Sequence, residues 1–372
     1  MPPIEQHKVK RAGVGLKGLD VERACPGYTL FTPMNDENQS VYLIDLEGTV
    51  VHTWDLPYPA IYGYLAERGT LVCNGRIFDE EKRFISDKPW KAGVILEVDW
   101  NGRVLWEVRH PDHHHDGIRL RNGNVLLICL GLLPDELVPR IQGGRPGTEA
   151  EGHMYADYLV ELTTEGKVVW EWRCWEHLDP TTDRIIGIQE DRDVWTHGNS
   201  IAELADGNIL MSFRNLSTVA MISRETGEIT WKLGAPPLAQ QHSPIPLPNG
   251  NILLFDNGTH RLDLSFPFSR VLEIDRTTKN IVWTYQEKMP FYFFSGHISG
   301  AQRLPNGNTL ICEGAQGRFF EVTSEKEVVW EYINPYFGTQ KPHIPEHNWV
   351  YRAYRYSEEE IAQARATAGS GG

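Results

Sequence analysis

Short runs of apolar and β-branched residues fill most of the chain, each closed by Gly, Asn, Asp or Thr, and they repeat as sets. The clearest mark of a set is a tryptophan ending a strand-like run: VVHTW at Trp54, RVLW at Trp106, KVVW at Trp170, EITW at Trp231, NIVW at Trp283 and EVVW at Trp330. A second run and a turn precede each one (VYLIDLEG, VILEVDWNG, YLVELTTEG, VAMISRETG, RVLEIDRTTKN, RFFEVTSEKE), which is the pattern of a hairpin whose second strand carries the Trp. Upstream lies a Gly-led strand at Gly27, Gly69, Gly123, Gly207, Gly250 and Gly307. All but the first of these follow another short strand, as in GIRLRNG, SIAELADG, SPIPLPNG and GAQRLPNG.

Six copies of a four-strand unit predict an all-β, six-bladed β-propeller, because one small sheet cannot bury both faces until neighbours stack on it. The first copy lacks its leading strand, and HNWVYRAYRY (347–356) is a surplus strand after the last Trp. Pairing the two would close the propeller with its N- and C-terminal strands and leave no free sheet edge. The expected organisation is an N-terminal extension at 1–24, the propeller at 25–356, and a helix with a linker-like tail at 357–372. Ser357 and Glu360 have capping-box spacing at the start of that helix, and the closing Gly-Ser-Gly-Gly reads as a linker. Residues 74–92, 130–156, 255–269 and 284–296 lengthen connections within blades, as lids or substrate walls would.

Composition narrows the partners. Lys and Arg total 36 against 50 Asp and Glu, a formal charge of −14, with no basic stripe to track phosphates, so nucleic acid is excluded as an expected partner. No apolar run approaches the roughly 18 residues that would cross a bilayer, and the first residues lack the hydrophobic stretch of a signal peptide. The expectation is therefore no membrane and a cytoplasmic location, with a homodimer left open. The five cysteines show no CxxC spacing and read as reduced core residues.

The histidines have a common phase. His115 and His242 lie eight residues before the Gly of the following strand, whereas His113, His197 and His297 lie ten before it, and His347 takes the equivalent place before the C-terminal strand. All fall where the chain approaches the first strand of a blade, beside the expected central channel. Imidazoles that gather there suit a nucleophile, a proton carrier or a metal ligand, since packing alone would leave each needing a hydrogen-bond partner. Asn199 follows His197 by two residues and Arg214 ends the next strand, so both belong to the same neighbourhood. His114, His347, Phe294 in KMPFYFFSG and Tyr62 complete the candidate substrate-binding set.

In DVWTHGNSIAELADGNILMSFRN, TGEITWKLG, QQHSPIPLPNGNILLFDNGTHR and VYRAYRY the sequence resembles the bacterial arylsulfate sulfotransferases, six-bladed propellers that move a sulfuryl group between phenols without a nucleotide donor. The resemblance spans about residues 25–356. It implies that His242 is the transiently sulfurylated histidine, that His197, Asn199 and Arg214 hold the sulfuryl oxygens, and that His115, with His114 as its rival, is a further channel histidine. It implies a small aromatic substrate and no cofactor. The residues themselves leave a second reading open: a cytosolic lyase or hydrolase of an aromatic compound, plant- or lignin-derived for example. There His115, His197, His242 and His297 would act as acid and base or would hold a divalent metal in the channel.

Overall fold

The computed structural model describes residues 13–35, 37–78, 83–339 and 344–368. Its strands form six antiparallel sheets, one for each sequence repeat, and the chain is a six-bladed β-propeller. Three blades fall in each of two compact units.

One unit takes the described residues within Met1–Phe78, Val94–Val108 and Tyr285–Gly372. Its first blade joins Val350–Tyr356 to Tyr28–Pro33, Ser40–Ile44 and Val50–Asp55. Tyr28 pairs with Tyr356 and Leu30 with Tyr354, so the surplus C-terminal strand does supply the missing leading strand. Arg355 fastens this strand from within. Its guanidinium donates to Thr29 Oγ1 at 2.9 Å and to the Cys25 carbonyl, beside buried Glu321. The second blade comprises Ala60–Leu65, Leu71–Arg76, Gly93–Val98 and Val104–Arg109, apart from its end residues Gly93 and Arg109. The last comprises Gly300–Arg303, Thr309–Glu313, Arg318–Val322 and Val328–Ile333.

A fifth strand, Gly15–Leu19, lies against the outer strand of the last blade, Leu19 opposite Trp330. The stretch expected to be a separate extension is therefore partly built into a blade. Residues 1–12 and the Gly-Ser-Gly-Gly tail lie outside the described residues. Helix Glu358–Ala366 starts as its sequence predicts, with Glu360 N–H donating to Ser357 Oγ at 3.2 Å and Ser357 N–H to Glu360 Oε2 at 2.7 Å. It packs so closely on Gly69 that a Cβ there would lie 2.8 Å from the Ala364 nitrogen.

The other unit takes Asp79–Gly93 and Arg109–Thr284 in its described residues. Its blades lead with His113–Arg119, Gly198–Glu203 and His242–Pro246, followed by strands beginning at Val125, Ile209 and Ile252. Asp116 in the first leading strand accepts from Ile201 N–H in the second at 3.0 Å, which ties these two strands together.

The repeated residues have mechanical roles. Trp54, Trp231 and Trp330 each donate the indole N–H to a carbonyl in the hairpin turn of the next blade, at Asp99, Arg276 and Leu46. Between the blades that lead with His113 and Gly198 this role falls to Trp172, bonded to the Gly227 carbonyl at 2.7 Å, rather than to Trp170. The recurring Asn before the second strand also has a partner: Asn124, Asn251 and Asn308 donate to Glu161, Glu273 and Glu321 on the third strand of their blades. All five cysteines are buried and free, as expected of reduced core residues.

Candidate active site

Within the second unit, the three leading strands deliver their histidines by a local break in the sheet. Pairing between first and second strands shifts register between Leu127 and Cys129, between Gly198 and Ser200, and between His242 and Ile245. His115 and His197 themselves adopt left-handed backbone, with φ of 49° and 51°. Such conformations cost about 1–3 kcal/mol for a residue with a Cβ, and they concentrate where a side chain must be aimed. These breaks also absorb the difference between offsets of eight and ten. The rings of His115 and His197 meet with centroids 4.8 Å apart although their offsets differ.

His114 and His115 touch through their Nδ1 atoms at 2.7 Å, and His114 Nε2 lies 3.0 Å from Asp157 Oδ1. The other oxygen of Asp157 is held by the Thr196 hydroxyl and the Gly198 N–H. A carboxylate can only accept, so it favours the proton on His114 Nε2. His114 Nδ1 then accepts from His115 Nδ1–H, and the lone pair of His115 is left on Nε2. His113, ten residues before Gly123 in the same run, is fully buried with its Nδ1 facing the Gly93 N–H at 3.4 Å.

Trp90 covers the cluster. Its ring stacks on His115 at 5.2 Å and meets His114 and His197 edge-on at 5.1 and 5.2 Å. The 74–92 insertion places it there by running antiparallel to the histidine segment, with His115 N–H donating to the Trp90 carbonyl at 3.1 Å and Ala92 N–H to that of His113 at 3.1 Å. His197 is partly exposed, and among the described residues neither ring nitrogen has a protein hydrogen-bond partner. Asn199 donates to the Gln241 carbonyl at 2.9 Å. His242 is 2% exposed and its Nδ1 lies 2.7 Å from Asn257 Oδ1. An amide oxygen only accepts, so Nδ1 carries the proton and Nε2 the lone pair.

Burial holds His115 well below the ordinary imidazole value, with His197, His114 and His242 adding repulsion. Burial does the same to His197, with Arg214 next in importance, and to His113. These groups are thus kept neutral.

Arg214 does not stand open. Its guanidinium grips Glu190 through Nη1 at 3.0 Å and Nη2 at 3.3 Å, and Glu190 also accepts from Gln240 Nε2 at 2.8 Å and from His260 Nε2 at 3.0 Å. Burial would raise the Glu190 pKa, but His260, Arg214 and Gln240 together hold it well below the usual carboxylate range.

The remaining candidates lie in the first unit. Trp349 sits between His347, stacked at 3.8 Å, and His297, edge-on at 4.4 Å. Burial lowers the His347 pKa. Tyr62 is 1% exposed, stacked on Tyr351 at 5.5 Å with the Arg352 guanidinium over its ring. Phe294 is half-buried, its N–H donating to Glu313 Oε1 at 3.1 Å. Among the described residues no group of three or more His, Cys, Asp or Glu side chains is placed to hold a metal ion. Sequence reasoning missed Trp90, Asp157, Glu190, Gln240, Asn257 and His260. Trp90 lies inside the 74–92 insertion, and Gln240, Asn257 and His260 lie inside QQHSPIPLPNGNILLFDNGTHR.

Comparison with known proteins completes the picture. A crystal structure of a protein of unknown function from Bacteroides caccae superposes with a TM-score of 0.53 at 14% identity, covering 88% of this chain and 98% of that one. A streptogramin B lyase gives 0.47 at 12% identity over 86% of each chain, and virginiamycin B lyase from Staphylococcus aureus 0.45 at 11% over 87% and 90%. These likenesses are of fold alone. No curated protein matches. The profile of the family Arylsulfotransferase (ASST) matches residues 23–240 and 237–352, nearly the whole propeller, and the chain belongs to that family.

Proposed function

We propose that this chain transfers a sulfuryl group from an aryl sulfate to a phenol at the histidine cluster around Trp90, without a nucleotide and without a cofactor. The observation that carries the reading is the tautomer of His242. With Nδ1–H given to Asn257, Nε2 carries the lone pair that attacks sulfur, next to imidazoles that burial keeps neutral.

In the first half-reaction His242 Nε2 forms the N–S bond while the S–O bond to the donor breaks, and the departing phenolate takes from His115 Nε2 a proton that His115 gains from solvent as the sulfate binds. Asp157, acting through His114, stabilises the charged form of His115, as the carboxylate of a catalytic triad does. The negative charge of the bound sulfate restores proton affinity that burial removes in the empty site. In the second half-reaction the acceptor phenol gives its proton back to His115 and attacks sulfur, which releases His242. His197 and Asn199 face the sulfuryl oxygens, and Trp90 stacks on the aryl ring. A cytosolic setting, as the composition suggests, would require that the aryl sulfate arise or be imported there.

The test is release of nitrophenol from 4-nitrophenyl sulfate with phenol as acceptor. Acceptor-dependent release with parallel-line, ping-pong kinetics is expected. No release at any acceptor concentration would overturn the reading.

A further inference from the structure

Four donors from three separate segments converge on one carboxylate. Arg214 ends a second strand, Gln240 precedes a leading strand, His260 comes from the 255–269 insertion, and all three bond Glu190. Two of them sit on left-handed backbone, Gln240 at φ 55° and His260 at φ 57°. Support for a single arginine needs one bidentate pair. A ring of charged and polar donors on strained backbone is the construction of an oxyanion seat.

We propose that Glu190 is the internal occupant of that seat: it fills the place that the anionic group of the donor takes, and it sets specificity by making every donor displace it. The inference rests on the proposed reaction for the identity of the donor, while the competition itself concerns any small oxyanion. Two anions cannot share the seat at this spacing, so binding requires the Glu190 side chain to leave. Room exists beside it: an open cavity of about 500 Å³ is lined by Gly187, Gln189, His260 and Arg261. Gly187 (φ 103°) lets the backbone rest on His260, where a Cβ would come within 2.6 Å of the ring. The Glu190 main chain stays anchored through its carbonyl, which accepts from Arg145 N–H at 2.8 Å, so rotation of the side chain alone vacates the seat.

Calorimetric titration of inorganic sulfate into the wild-type chain, Glu190→Gln and Glu190→Ala tests this. Removing the competing charge should tighten sulfate binding about tenfold or more in either variant, and adding Arg214→Gln to Glu190→Gln should abolish the gain. Tighter binding upholds the inference even if no aryl sulfate is turned over, a result that would sink the reaction alone. Equal or weaker binding in the folded variants, no binding by any protein, or failure of both variants to fold would assign Glu190 to support and overturn the inference. It would fall in those cases even with sulfuryl transfer intact.

Discussion

Replacing Arg355 by methionine isolates what fastens the C-terminal strand. The side chain is buried, bonds Thr29 and the Cys25 carbonyl, and faces Glu321 at 3.4 Å. Methionine keeps most of the volume and removes the charge. Glu321 would retain hydrogen bonds from Cys25 N–H and Asn308, both at 2.6 Å, but no cation. Breaking one side of a buried pair costs about 3–5 kcal/mol. With an unfolding entropy of about 2.1 cal/mol/K per residue, a cooperative chain of 372 residues should melt roughly 4–6 °C lower at pH 7.5. The loss should depend on pH in a definite direction. Burial already raises the Glu321 pKa while Arg355 opposes it, so removing Arg355 raises it further. A folded-state pKa above the unfolded one means that the folded form holds the extra proton. Stability is then retained at low pH and lost as pH rises through the folded value. Melting curves from pH 5 to 8.5 should show the deficit widening with pH, and Glu321→Gln added to the variant should recover part of it. An unchanged melting temperature, or a deficit that is flat with pH, would refute the claim that this pair secures the closing strand.

Deleting residues 347–372 removes the leading strand of the first blade and the helix on Gly69, and should abolish cooperative unfolding; a truncated chain with the full melting temperature would contradict the closure. Trp90→Ala should weaken binding of the aryl donor roughly two- to tenfold, seen in KM, for loss of one stacking face. Because burial depresses His113, His115 and His197, the unfolded chain takes up protons below pH about 6.5 that the folded chain refuses. Urea midpoints should fall as pH drops below 6.5.

What repeats was legible. The Trp and Gly positions marked the blades because the same contacts recur in several repeats, an indole N–H on the next turn or an Asn amide on a Glu of the third strand, so the same residue returns at the same place. The shift from Trp170 to Trp172 was hidden because both alternate residues of VVWEW suit a strand edge. The N-terminal strand escaped because GLKGL has two glycines and no β-branched residue. In the site, the histidines announced themselves by phase. Glu190 did not, since its loop belongs to no repeat and only tertiary folding brings it to Arg214. Nor could spacing show whether Arg214 would face a substrate or a carboxylate of its own chain.

The central claim is a covalent step on His242, and mass spectrometry of the protein quenched after mixing with 4-nitrophenyl sulfate, without acceptor, tests it most directly. A gain of about 80 daltons, one sulfuryl group, should appear on the peptide carrying His242, vanish on addition of phenol, and be missing in a folded His242→Ala variant that no longer turns over. A fully active enzyme that never carries the adduct, or an adduct that persists in His242→Ala, would contradict the account.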